Sequence, residues 1–179
     1  MDAIFGNKQI SKREYEIIAH RDVYVPMSDG INLCVDIFRP NSSDKFPALV
    51  AMSGFNKDIQ SDRIWPGASR SRRIRGTPDA AIEAGPIDFF VRRGYVYVVG
   101  AVRGTGKSGG AFNYLGPQEV RDVAEVVEWA ARQPWCNGNV SMAGIGYFAA
   151  LHAPVALLEP PHLKCIAPVS AFWDVYNYF

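Results

Sequence analysis

Several features are scarce in this 179-residue chain, and each scarcity excludes a class of protein. The three cysteines, Cys34, Cys136 and Cys165, are an odd number and have no C-x-x-C spacing. This argues against both a disulfide scaffold and a structural zinc site. The sequence as a whole implies no metal and no organic cofactor. The formal net charge of +1 lacks the basic excess that phosphate contacts require, and no nucleic-acid partner is expected.

Long apolar runs are also missing. No stretch approaches the roughly 20 apolar residues of a membrane-spanning helix, so no membrane partner is expected. The first 20 residues carry six charged side chains and lack the apolar core of a secretory signal, which makes the cytoplasm the default location. We interpret residues 1–20 as an N-terminal extension and residues 21–179 as part of one domain.

Six short apolar or β-branched runs, each bounded by turn residues, predict six strands. The first two flank Met27-Ser28-Asp29-Gly30, whose Asp-Gly pair favours a β-hairpin. The third run is uninterrupted, which is typical of a strand that is buried on both faces. In chain order the predicted strands cover residues 22–26, 32–38, 47–53, 95–102, 140–143 and 164–169.

Helical patterns lie between the later strands. Arg92-Arg93-Gly94 is typical of a helix end with a glycine cap. Between Pro117, in the first turn, and Pro134, after the end, one helical face carries apolar residues. They are Val120, Val123, Ala124, Val127 and Ala131. Another helix is predicted over residues 147–158, before Pro160-Pro161. A hairpin followed by alternating strands and helices predicts a mostly parallel, three-layer α/β sheet.

The irregular stretch 56–85 has two interpretations. It is either an anion-recognising loop or a solvated excursion across the edge of the sheet. Its charge comes from Arg63, Arg70, Arg72, Arg73 and Arg75.

The segment Gly104-Thr105-Gly106-Lys107-Ser108 ends like a phosphate-binding loop and follows a predicted strand. Such a loop needs a glycine at position 101, which is Ala101, and a helix that begins at the lysine. Gly109 and Gly110 start a helix poorly. Nucleotide hydrolysis is therefore disfavoured.

Residues 144–149, G-I-G-Y-F-A, resemble two motifs. With a strand before and a helix after, they match the dinucleotide fingerprint G-x-G-x-x-A, although the next strand ends in Ser170 instead of an acidic residue. They are also one residue away from a nucleophile elbow, G-x-S-x-G/A, and Gly144 and Ala149 lie where small residues help a sharp turn. Gly146 occupies the nucleophile position of that elbow and has no hydroxyl group.

Ordered motifs along most of the chain then identify a family. They are V-P-M-S-D-G (25–30), V-D-I-F-R-P (35–40), F-F-V-R-R-G-Y (89–95), V-R-G-T-G-K-S-G-G (102–110) and E-W-A-A-R-Q-P-W-C-N-G (128–138). The chain resembles the N-terminal half of the cocaine esterase/X-prolyl dipeptidyl-peptidase family of serine hydrolases. The resemblance implies an α/β-hydrolase fold, a mostly parallel sheet with an N-terminal antiparallel hairpin, here without the C-terminal strands and cap.

The resemblance also implies site roles, with two departures from the family. A serine at the position of Gly146 would attack an ester or amide carbonyl, and the backbone N–H of Tyr147 would donate to the oxyanion. The second oxyanion donor is usually a tyrosine hydroxyl after the third strand, where this chain has Phe55.

A third departure is length, because the acid and the histidine of the family's triad come later than the sixth strand. The segment from Phe172 to Phe179 is rich in aromatic residues. We expect it to dock against a second chain or a missing C-terminal half. The chain is accordingly interpreted as part of a longer or split protein.

No other residues replace the triad. We expect His152 to be packed or capping, His162 to lie at the surface and His20 to have no partner. Ser141 is expected within the fifth strand and Cys165 to be buried and inert. Arg103 and Asp122 are expected to form a structural pair.

Three functions stay open. In the first, the chain belongs to a serine ester or amide hydrolase whose nucleophile has been replaced. In the second, it belongs to a natural pseudoenzyme or non-hydrolytic relative that retains the pocket for a small ester, amide or related ligand. In the third, it is part of a binding subunit of a larger assembly.

Overall fold

A six-stranded mixed sheet organises the structure. This computed structural model describes residues 10–60, 83–172 and 174. The strands are β1 (Ile17–Pro26), β2 (Asn32–Pro40), β3 (Phe46–Ser53), β4 (Val96–Ala101), β5 (Cys136–Ile145) and β6 (Leu163–Val169). Their order is β1-β2-β4-β3-β5-β6, with β1–β2 and β2–β4 antiparallel and the remaining pairs parallel. The predicted mostly parallel sheet with an N-terminal antiparallel hairpin is confirmed.

Two strands begin earlier than the sequence predicted. β1 starts at Ile17 because Ile17–His20 pairs with Ile37–Pro40 beyond a bulge. β5 starts at Cys136, which pairs with Phe46 of β3. Both early segments are held by ladder hydrogen bonds and bury few side chains, so an apolar pattern does not reveal them.

In the part of the chain that the structure describes, four helices and a short 3₁₀ turn (Lys57–Gln60) connect the strands. The helices are α1 (Ile87–Val91), α2 (Pro117–Ala131), α3 (Tyr147–Ala150) and α4 (His152–Ala156). The prediction of one continuous helix over residues 147–158 was wrong, because the chain divides at Leu151. Pro154 has no N–H to donate to the Ala150 carbonyl, and its ring crowds that carbonyl.

Helices cover both faces of the sheet, which gives three layers. On one face, Val50 and Met142 belong to a core with Val123 and Val127 of α2 and Leu151 at the α3–α4 junction. On the other face, alternate residues such as Leu49 and Tyr97 pack with residues of α1 and α3. These residues are Ile87, Val91 and Phe148. The period-two alternation of the central strands therefore supplies two separate cores.

The structure corrects two expectations about single side chains. Cys165 is exposed, not buried, because β6 has only β5 beside it in the described sheet. His20 has a partner, since its Nε2 accepts a hydrogen bond from Arg39 Nε at 3.1 Å. His152 is fully buried, as expected, and Ser141 is half-buried in β5. The ring of His162, whose side chain is 42% exposed, lies 2.8 Å from Glu128.

Some sequence expectations fall outside the described residues. They concern Arg63, Arg70, Arg72, Arg73 and Arg75, together with all of residues 172–179 except Phe172 and Asp174. Among the residues that the structure does describe, none of the helices has the length and apolar character needed to cross a bilayer.

The expected pair of Arg103 and Asp122 ties the loop after β4 to α2. Arg103 Nε and Nη2 each donate to Asp122 at 2.7 Å, and Asp122 is completely buried. Gln118 donates to the same carboxylate at 2.8 Å, and Arg103 also pairs with Asp29. The pair thus connects the hairpin turn, the β4 loop and α2.

We predict that Asp122→Asn lowers the free energy of unfolding by about 3 kcal/mol, because it leaves a largely buried guanidinium without its bidentate partner. Urea denaturation of the natural protein measures the change. The exposed Asp44→Asn is the matched control, with an expected effect within about 0.5 kcal/mol. Equal effects of the two substitutions would contradict a structural role for the pair.

Candidate functional site

The turn between β5 and α3 has an unusual backbone. Gly146 has φ 60° and ψ −120°, a backbone conformation that L-residues with a side chain rarely adopt. Its N–H donates to Val169 O, and its carbonyl accepts from the N–H groups of Ala149 and Ala150, each at 3.0 Å. The segment therefore reverses sharply between strand and helix, as in a nucleophile elbow.

Small residues are required beside this turn. A Cβ atom at Gly144 would lie only 2.4 Å from Cβ of Phe148, so no larger residue fits between strand and helix. Ala149 is also fully buried. Space does not impose the same limit at Gly146, where the nearest atom to an added Cβ would be 3.4 Å away. A Cβ atom would therefore meet only ordinary contacts at this position, although the positive φ would strain any residue that carries one.

Tyr147 is held by a buried carboxylate. Its hydroxyl donates to Glu119 of α2, 2.7 Å from Oε1 and 3.0 Å from Oε2, and Glu119 also accepts from Leu115 N–H at 3.0 Å. Burial raises the pKa of Glu119 to about 7. The backbone N–H of Tyr147 begins α3 and so has no acceptor within that helix, which suits it to donate to a bound oxygen atom.

Phe55 lies beside Tyr147 because β3 and β5 are parallel neighbours whose carboxyl ends share one edge. The ring centroids of Phe55 and Tyr147 are 5.7 Å apart, and the Phe55 side chain is 46% exposed. Between these elements, a Cβ at Gly54 would lie 3.1 Å from the rings of both Phe112 and Tyr147. The wall near the elbow is aromatic, and Phe55 contributes no hydrogen-bond donor from its side chain.

A buried lysine fixes the segment that follows Phe55. Lys57 Nζ lies 2.8 Å from Asp22, 2.8 Å from Asp36 and 3.0 Å from Asp58, with only 2% of its side chain exposed. Burial alone would lower the pKa of Lys57, but hydrogen bonds with these three carboxylates raise it above its ordinary value. The ion cluster attaches the exit of β3 to the β1–β2 hairpin.

The Gly104–Ser108 loop is a structural turn and not a phosphate cradle. No helix begins at Lys107 or in the nine residues after it, and Lys107 pairs with Asp22. Ser108 Oγ donates to Ala101 O at 2.7 Å and accepts from Cys34 N–H at 2.8 Å. Within residues 10–60, 83–172 and 174, there is no group of three or more His, Cys, Asp or Glu side chains that could hold a metal ion.

Two carboxylates near the elbow were missed by sequence reasoning. Glu119 lies four residues before Val123 on the apolar face of α2, and that position indicates burial. Glu83 belongs to the irregular stretch 56–85. Nothing in its sequence pattern indicates that its backbone carbonyl accepts from Ile145 N–H at 2.9 Å.

Comparisons with known proteins agree with this geometry. Over 90% of this chain and 29% of the other, the structure matches a CocE/NonD family hydrolase from Staphylococcus aureus, with 37% identity and a TM-score of 0.80. The fold is that of the α/β-hydrolases. A model of the X-Pro dipeptidyl-peptidase (S15) family matches residues 29–179, and the chain belongs to this family of serine esterase-like and X-Pro peptidase-like hydrolases.

Individual relatives are considerably longer. Cocaine esterase from a Rhodococcus species is 32% identical over 87% of this chain and 24% of its own length. Xaa-Pro dipeptidyl-peptidase from Lactobacillus helveticus is 26% identical over 51% of this chain and 14% of its own length. The chain spans about a quarter of the length of cocaine esterase and of a similar Mycobacterium bovis protein.

We predict that Glu119 makes the protein less stable as pH rises from about 4.5 to about 7. The folded state holds the proton of this carboxyl more tightly than the unfolded chain, whose reference pKa is 4.5. The shift corresponds to roughly 3 kcal/mol, which is lost as the folded-state group ionises. Denaturation of the natural protein and of Glu119→Gln across this range measures the difference. The exposed Glu159→Gln is the control, and parallel stability curves for wild type and Glu119→Gln would contradict the assignment.

Proposed function

We propose that the protein containing this chain binds a small ester, amide or related carbonyl compound at the β5–α3 elbow without forming an acyl-enzyme at position 146. The observation that carries the proposal is a glycine in the elbow conformation, with φ 60° and ψ −120°. Acyl transfer in this family needs an oxygen nucleophile on that residue, and glycine has no side-chain atom to supply one.

Phe55 supports the same conclusion independently. In the family a tyrosine hydroxyl at this point completes the oxyanion hole, and the phenylalanine side chain cannot donate. Loss of one such donor typically lowers the rate by about 10²–10³-fold. Two changes thus weaken the same acyl-transfer step, one at the nucleophile and one at the oxyanion hole.

Retention of the surrounding architecture supports ligand binding. The tight contact between Gly144 and Phe148, the hydrogen bonds of Tyr147 to Glu119 and the ion cluster around Lys57 are all present. A small ligand would have an aromatic wall of Phe55, Phe112 and Tyr147, with the Tyr147 N–H as a donor for its carbonyl oxygen. Apolar walls with few polar groups are typical of small-molecule sites.

A second function is ordinary serine hydrolysis by a natural protein in which position 146 is serine. The space around Gly146 favours it, because an added Cβ would meet only ordinary contacts. The role of residues 172–179 as a docking segment and the cytoplasmic location remain predictions of the sequence.

A fluorophosphonate probe applied to the natural protein tests both functions. We expect no adduct in the tryptic peptide 133–164, whose mass should correspond to glycine at position 146. We also expect phenyl acetate and acetanilide to raise the thermal unfolding midpoint, because ligands that bind only the folded state stabilise it. An adduct on a serine at position 146 would overturn the proposal, and so would the absence of any ligand-dependent stabilisation.

Restoration of the missing groups tests what the elbow has lost. We predict that the double variant Gly146→Ser, Phe55→Tyr hydrolyses aryl esters about 10²–10³-fold faster than Gly146→Ser alone, because the added hydroxyl restores one oxyanion donor. Phe112→Tyr in the Gly146→Ser background is the matched control for an added phenol in the same aromatic wall. Equal rates for the two double variants would show that position 55 does not serve the oxyanion.

A further inference from the structure

Glu83 is fixed against the elbow by its backbone. Its carbonyl accepts a hydrogen bond from Ile145 N–H, and the next carbonyl, Ala84 O, accepts from the buried hydroxyl of Tyr97. Ala84 and Tyr97 are both fully buried. Gly85 follows at φ 94°, and a Cβ there would lie 3.1 Å from the Tyr97 hydroxyl. The segment is therefore attached to β5 and to β4 just beside Gly146.

The Glu83 carboxyl group faces the position where a nucleophile's side chain would begin. A Cβ on Gly146 would lie 3.4 Å from Oε1, 3.6 Å from Cδ and 3.8 Å from Oε2 of Glu83. These are the three nearest heavy atoms among the described residues, apart from the glycine's own chain neighbours. The position left open by the glycine is therefore bordered by a carboxyl group that can accept a hydrogen bond from an occupant of that space.

That position suits a water molecule. A bound water needs polar partners and space of about one water diameter, and removal of a serine side chain provides such space. Glu83 supplies an acceptor at the edge of this space. Burial also raises the pKa of Glu83, which makes its carboxylate a stronger base than an exposed glutamate.

We propose that Glu83 is a general base that activates a water molecule in the position of the missing serine side chain, so that the elbow hydrolyses small activated esters by direct attack of water. The inference rests on the proposed function, since it requires a carbonyl ligand at the elbow. It adds an activity that needs neither a serine nor an acyl-enzyme.

The chemical steps balance with water as the only co-reactant. Glu83 takes a proton from the water as the water oxygen bonds to the carbonyl carbon, and the carbonyl π electrons move to the oxygen beside the Tyr147 N–H. The tetrahedral intermediate then re-forms the C=O bond and breaks the bond to the alcohol oxygen. The proton on Glu83 passes to that leaving oxygen, which gives a carboxylic acid and an alcohol.

The test compares hydrolysis of p-nitrophenyl acetate by the natural protein and by Glu83→Gln. General-base catalysis contributes about 10²–10⁴-fold, so we expect kcat to fall at least about 10²-fold while KM changes little. Glu83→Asp should recover part of the rate, and Glu159→Gln, which removes an exposed carboxylate, should retain all of it. Rapid quenching with mass spectrometry should detect no acetylated protein during turnover.

A further variant tests the water position itself. Gly146→Ala places a methyl group in the space proposed for the water and should abolish hydrolysis, while stabilisation by phenyl acetate persists. The thermal unfolding midpoint of each variant confirms that it is folded.

Different outcomes separate the two proposals. Stabilisation by phenyl acetate without any hydrolysis, or unchanged kcat in Glu83→Gln, would overturn the role of Glu83 and leave the binding site standing. An acetylated intermediate would overturn direct attack by water. Absence of stabilisation by phenyl acetate or acetanilide would overturn the proposed function, and with it the inference that rests on it.

Discussion

The backbone turn at residue 146 is the constraint on which the rest of the site depends. A strand that enters a helix through φ 60° and ψ −120° needs small residues around it, which Gly144 and Ala149 provide. The turn places the first N–H groups of α3 at the carboxyl edge of the sheet, next to the exit of β3. A residue with a side chain would adopt this conformation only at a cost on the order of 1–3 kcal/mol, whereas glycine adopts it without that cost.

Three polar interactions hold the segments at this edge of the sheet in their relative positions. Lys57 fixes the exit of β3 to the hairpin, Glu119 fixes Tyr147 to α2, and Arg103 fixes the loop after β4 to the same helix. Lys57 and Arg103 are buried or largely buried charges next to carboxylates, because an unpaired charge would carry a large desolvation penalty, whereas Glu119 is held by hydrogen bonds from neutral groups. The apolar cores set the layers of the fold, whereas these pairs set the relative positions of the loops around the elbow.

Much of the fold could be predicted from local sequence. The Asp-Gly hairpin, the central parts of the strands and the end of α1 at a glycine are each determined by nearby residues. The order of the motifs along the chain identified the family. The early residues of β1 and β5 could not be predicted because pairing with distant strands holds them. The break at Leu151 could have been predicted from Pro154, because proline has no N–H to complete a helical hydrogen bond. Glu83 lay beyond prediction, because only the folded chain brings it to Gly146.

The two departures at the elbow have unequal consequences for chemistry. Under the proposed function, Phe55 would slow attack by any nucleophile, because its side chain gives no hydrogen bond to the oxyanion. Gly146 would supply no nucleophile, and it leaves open the space beside the Glu83 carboxyl group, whose pKa is raised by burial. The proposed site therefore lacks the covalent route, whereas the means to polarise a carbonyl and hold a water molecule would remain. Glycine, the one residue that adopts this turn without strain, is compatible with such a pocket and does not by itself indicate a decayed one.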